Sequence, residues 1–219
     1  KPVHPSDTVN AFSLKPSIWS AVYRRDFLNR NAIRFLPTPG AAFQDASFTF
    51  KVFALADTAV YLHDSVLSYR QDNEGSSVNS PNKVHCVNDE YAEIHRWIVE
   101  DYAESHSSQD VAKLLRFANV IKYDSYMWSY IRLNPKFYAE FLNRMAQEFR
   151  GALEAHEFEL TDLKPWKRAN LKAIVDDPQK WLAESSGFAS AGAMGRAKHY
   201  ARVGGPGVVV AFVLNAIKK

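Results

Sequence analysis

The spacing of apolar positions changes twice along this chain. Residues 1–16 (KPVHPSDTVNAFSLKP) carry three prolines and no sustained period, which predicts an extended lead-in. Trp19, Val22 and Tyr23 then suit a short strand or buried turn, and RRDFLNRN suits one or two helical turns. Pro37 and Pro39 hold IRFLPTP extended, because the residue before a proline is pushed out of the helical region. After Gly40 a helical period begins: Phe48, Val52 and Ala56 share a face that Phe50 and Phe53 widen. TAVYLHDSVLSYR is rich in β-branched and aromatic residues and predicts one or two strands, followed by a polar loop over 71–83.

From Val84 the pattern is helical. Val84, Val87, Tyr91, Ile94, Ile98 and Tyr102 step by three and four, as expected for the buried stripe of an amphipathic helix. Val111, Leu114, Leu115, Ala118 and Ile121 repeat the pattern. Phe137, Phe141, Met145, Phe149 and Leu153 do so again, just after Pro135, a suitable first-turn proline. VDDPQKWLAESS adds a helix start with Asp177 as its cap and Pro178 behind it. The expected fold is therefore α+β but mostly helical: a mixed piece over 1–83, then a helical extension over 84–219.

Composition narrows the class. With 219 residues and 47% hydrophobic side chains the chain can bury a substantial core. Its single cysteine, Cys86, cannot form an internal disulfide, so a reducing, cytoplasmic setting is the simpler expectation. The longest apolar run, VVVAFVL, is far short of the roughly 20 residues needed to span a bilayer. No signal-peptide pattern opens the chain.

Charge is unevenly placed. Over 72–110 there are nine acidic residues against two basic ones, and over 161–219 ten basic against four acidic. A basic end with an apolar tail fits an anionic membrane surface, and a solvated helical face fits the same residues. The basic residues are not interleaved with a nucleic-acid motif, so no nucleic-acid partner is expected.

Two segments hold candidate chemistry. In GAAFQDASF, Asp45 stands at a helix start, where a carboxylate accepts backbone N–H bonds and complements the helix dipole. The same position exposes an acid on a rigid element, and the surrounding Phe43, Phe48 and Phe50 would desolvate it and raise its basicity. Capping and proton abstraction are both open on these residues. In YRQDNEGSSV, Arg70 suits bidentate contact with phosphate oxygens, and serines add neutral donors. No Gly-rich phosphate loop, Cys/His metal spacing, G-x-S-x-G elbow or D-x-D pair is present.

Three spaced elements in order, WSAVYRR, TPGAAFQDASF and YRQDNEGSSV, make residues 10–98 resemble the second half of bacterial family-2 glycosyltransferases. The resemblance implies the C-terminal part of a GT-A α/β glycosyltransferase domain, from a capsule or other polysaccharide biosynthesis enzyme. It implies transfer of a sugar from a nucleotide-sugar, with inversion, to a hydroxyl of a glycan or lipid-linked acceptor. Asp45 takes the place of the catalytic base, while Gln44, Trp19 and Tyr23 take acceptor-side places. Arg70, Ser76 and Ser77 fall in the loop that closes over the donor diphosphate. A divalent metal, Mg or Mn, is expected in the intact enzyme, its ligands lying outside this chain.

The sequence departs from the family in two ways. Ser68 stands where many relatives carry a histidine, and the nucleotide-binding first half has no counterpart. The start at Lys1 fits a trimmed piece, which alone is expected to be inactive. The resemblance implies a cytoplasmic protein, peripheral at the inner face of the plasma membrane. The alternative from a different class is a self-standing helical membrane-surface or partner-binding module without catalysis, docking through Arg196, Lys198, Arg202, Lys218 and Lys219.

Overall fold

The computed structural model describes residues 2–7, 9–38, 43–68, 83–185, 187–188 and 190–217. In chain order its helices are α1 (Val9–Phe12), α2 (Arg25–Arg30), α3 (Asp45–Leu55), α4 (Cys86–Trp97), α5 (Ser108–Tyr130), α6 (Tyr138–Glu154), α7 (Pro165–Asp176), α8 (Pro178–Glu184), α9 (Ala193–Gly204) and α10 (Pro206–Ile217). Short 3-10 turns include Pro5–Asp7 and Ile18–Ser20, and α4 runs on into a π-helical turn, Ile98–Tyr102. The chain forms two compact units, 1–121 and 122–219, the division falling inside α5.

The fold is helical. This corrects the expected α+β class and the GT-A α/β piece within it: among the described residues there is no strand or sheet. The one bridge among the described residues joins Val3 and Ala59, which exchange N–H···O bonds of 2.9 and 2.8 Å. Residues predicted as strands around TAVYLHDSVLSYR run without regular structure through Ser68, and Val60, Leu62 and Val66 expose their side chains. β-branched composition registers fit to a pleated, half-buried surface, and no sheet is present here to supply that surface. The segment around Trp19 is likewise a 3-10 turn followed by extended chain.

In the first unit α3 packs on α4, and α1 and the Pro5–Asp7 turn pack on α3. Burial on α3 runs almost all round the helix, from Ser47 to Val52 and again at Ala54. Such a helix is a core helix, not an amphipathic surface one. Phe48 and Val52 join Ile33 in a cluster that Tyr23, Phe27 and Leu28 cover. Phe50 lies against Phe12, with ring centroids 4.8 Å apart, and against Trp97 at 6.5 Å. On α4 the expected stripe is the one buried: Val87, Tyr91, Ile94 and Ile98 are all 5% exposed or less.

In the second unit α6 presents Phe141, Leu142, Met145 and Phe149, fully buried, towards α7 and α8. Asp177 caps α8, accepting the Lys180 N–H at 2.8 Å, as its sequence position predicts. Asn170 on α7 is the polar centre of this unit. Its Nδ2 donates to Tyr123 Oη at 2.9 Å, and its Oδ1 accepts from Trp181 Nε1 at 3.0 Å and His199 Nε2 at 2.6 Å. Because that oxygen is already an acceptor, the His199 proton sits on Nε2. Nδ1 then faces Ser185 Oγ at 3.3 Å and Arg202 Nη2 at 3.4 Å as an acceptor.

Burial, aided by the Arg202 charge, pushes His199 down to about 4 from an ordinary 6.5. Between those values the unfolded chain binds the proton and the folded chain does not, so stability falls as pH falls through that window. We expect the urea-unfolding free energy to lose about 2 kcal/mol from this group between pH 7 and 4. His199→Gln should flatten that part of the profile relative to the unsubstituted chain.

Candidate active site around Asp45

Asp45 is the first residue of α3, one place beyond the cap. The capping residue is Gln44, whose side chain makes no capping bond and instead donates from Nε2 to the Thr38 carbonyl at 3.2 Å. The opening N–H groups of α3 still need acceptors, since a helix leaves its first turn unsatisfied. Asp45's carboxylate takes its own N–H, and the Ala46 N–H bonds to the Phe43 carbonyl at 2.9 Å. The Ser47 N–H donates across to Glu90 Oε2 on α4 at 3.1 Å. A helix end that ordinarily uses a local side chain is thus completed from a neighbouring helix.

The turn into α3 is strained. Phe43 has φ +64°, a left-handed conformation that is uncommon for a bulky aromatic residue. Such strain costs on the order of 1–3 kcal/mol and persists where the surroundings over-determine it. Here it fixes the chain two residues ahead of Asp45.

The electrostatics follow from burial. Desolvation pushes Asp45 up to about 6, against the opposing pull of its own N–H and of Lys15. Tyr23 is raised as well, first by burial and then by the charge of Asp45, so the phenol and the carboxylate share one neighbourhood. Glu90 is 0% exposed, and burial raises it. The Ser47 contacts oppose that rise, while Asp45 adds to it. Glu90 Oε1 is buried with no hydrogen-bond partner among the described residues.

One turn further along α4, Glu93 is half-buried, yet Arg96 and Lys51 bind it and hold it below the usual carboxylate range. Lys51 Nζ meets Glu93 Oε1 at 2.5 Å, and Arg96 bonds Glu93, Glu100 and Asp101. Two acids on one helix therefore have opposite characters, set by whether cations hydrogen-bond them directly.

A pocket of about 410 Å³ opens beside this site, with Tyr23, Phe48, Phe35, Ile18 and Arg25 among its walls. Tyr23 stands edge-on to Phe48 with centroids 5.3 Å apart, and Phe35 stacks on Phe48 at 4.2 Å. Tyr23 both lines the pocket and lies within electrostatic reach of Asp45. Trp19, 40% exposed in the Ile18–Ser20 turn, is in the same unit but is not among the pocket's walls. Arg70, Ser76 and Ser77 lie outside the described residues. Phe50, expected beside Asp45, turns instead to Phe12 and Trp97.

Among the described residues no three His, Cys, Asp or Glu side chains come together as a metal centre. Asp45 and Glu90 alone do not make one. Comparison with known proteins gives no match to any family model, curated protein or solved structure.

Sequence reasoning passed over Glu90, although its signal was present. Position 90 is three past Val87 and four before Ile94, so an acid sits inside the apolar stripe of α4. Glu90→Ala should strand the Ser47 N–H and cost about 1–3 kcal/mol in chemical unfolding. Glu90→Gln, which keeps an acceptor oxygen without the buried charge, should leave stability close to that of the parent chain.

Proposed function

We propose that the first unit is the acceptor-side part of an inverting glycosyltransferase and that Asp45 is its general base. The observation that carries this is the Asp45 carboxylate, fixed at the start of a core helix and raised to about 6 by burial. A base works best when its affinity for the proton lies near the working pH. The order of the three sequence elements around Asp45 supports the reaction class, and the aromatic pocket at Tyr23 and Phe48 supports a sugar acceptor.

In this reading Asp45 takes the proton of the acceptor hydroxyl. The acceptor oxygen forms its bond to the anomeric carbon as the bond from that carbon to the diphosphate oxygen breaks. The nucleoside diphosphate leaves with the electron pair, and the configuration inverts. Tyr23 and Gln44 position the acceptor, and Arg70, Ser76 and Ser77 belong to the donor side. The donor-binding unit is supplied from outside these 219 residues, and a divalent metal, Mg or Mn, would neutralise the leaving diphosphate there.

Asp45→Asn should reduce sugar transfer at least a hundredfold in an assay that includes the donor-binding unit. In the parent enzyme kcat/KM should rise tenfold per pH unit up to about 6 and be level above it. The folded value lies above the ordinary 3.8, so this group's stabilising contribution is complete below that value and is lost as pH rises through about 6. Asp45→Asn should therefore gain about 1–2 kcal/mol at pH 7, a difference that vanishes near pH 4. Undiminished transfer by the variant would overturn the assignment.

A further inference from the structure

α10 is apolar on two faces, and only one of them is used. Val208, Phe212 and Asn215 face the unit: Phe212 meets Tyr200 at 4.9 Å and Trp166 at 5.8 Å, and Asn215 Oδ1 accepts from Lys164 Nζ at 2.8 Å. Gly204 makes this approach possible, because a Cβ there would stand 2.7 Å from both Ala169 and Val208. The other face carries Val210, Val213, Leu214 and Ile217, which are 57%, 42%, 53% and 75% exposed. Their spacing is i, i+3, i+4 and i+7, a continuous aliphatic stripe along the helix. Scattered exposed aliphatics need no explanation, but four aligned on one helix do.

We propose that this stripe docks the protein on an anionic lipid bilayer, with α10 lying in the plane of the interface. Charge selects the occupant. Residues 191–219 hold five basic residues, Arg196, Lys198, Arg202, Lys218 and Lys219, and no acidic one. A segment that joins an aliphatic stripe to cations and lacks acids suits acyl chains beneath anionic headgroups. A second copy of this chain suits it poorly, since a symmetric contact through α10 would bring two acid-free basic segments together. The 12 described residues of α10 make about 18 Å of helix, less than a hydrocarbon core of about 30 Å. No helix among the described residues is long and apolar enough to cross a membrane. The docking rests on the second unit alone and does not depend on the role given to Asp45.

The test is sedimentation of the whole chain with phosphatidylcholine vesicles, with and without phosphatidylglycerol, at low and high salt. Binding should require phosphatidylglycerol and weaken with salt, as screening shortens the reach of the cations. Val210→Asp with Leu214→Asp should lower the partition coefficient roughly tenfold or more, circular dichroism showing an unchanged fold. Arg196→Gln with Lys198→Gln should reduce binding to anionic vesicles. Leu214→Trp should shift its emission to the blue on those vesicles and be quenched by brominated acyl chains. Absence of binding at low salt overturns the proposal, as does equal binding by the double-aspartate variant. So does a self-association in solution that those substitutions abolish while vesicle binding persists.

Discussion

The first unit depends on one hydrogen bond, from the Ser47 N–H of α3 to Glu90 on α4. A helix that starts inside a core must find acceptors for its first N–H groups without water. α3 has no capping bond from Gln44, so α4 supplies the acceptor. That bond fixes where α4 stands relative to α3, and it places a buried carboxyl group one turn ahead of the Lys51–Glu93 pair. It also explains why Asp45 has a character of its own. With Ser47 satisfied from α4, burial at Asp45 outweighs the pull of its own N–H and the stabilisation that a helix N-terminus ordinarily gives a carboxylate.

Those features were unequally legible in the sequence. The stripes of α4 and α6 and the Asp177–Pro178 start of α8 are local patterns, set by periodicity and capping, and the structure has them where the pattern puts them. Among the described residues the strands expected after α3 are absent, because strand formation is decided by partners distant in sequence, and composition alone carries no record of a partner. Asp45 at a helix start was legible; that it is not the cap was not, because the competing acceptor comes from 43 residues away. Glu90 was hidden differently. Counted within the acidic run from 72 to 110, it belongs to a charged surface; counted in the α4 period, it belongs to the core. Only the second count predicts a perturbed acid.

The second unit solves the same problem of buried polarity by pooling it. Tyr123, Asn170, Trp181 and His199 hold one another's donors and acceptors in a network that leaves the imidazole neutral. A fully satisfied network of this kind favours one arrangement of α7, α8 and α9 over its neighbours, since a shift of any helix would leave a buried group unpaired. α10 then packs on a surface already fixed from within. Its inner face is explained by that contact, while among the described residues its outer face has no counterpart inside the unit.

The two units thus treat buried charge in opposite ways. In the His199 network, every hydrogen-bonding group of the hub has its complement, and the titration of the imidazole is pushed away from neutrality. Around Asp45 the complement is incomplete: Glu90 has an orphaned oxygen, Phe43 is held in a left-handed turn, and the Asp45 titration is pushed towards neutrality. Each of these disfavours the fold. At neutral pH the Asp45 carboxylate destabilises its own helix start, a cost that an asparagine in the same turn would not carry. Stability alone would have chosen the amide.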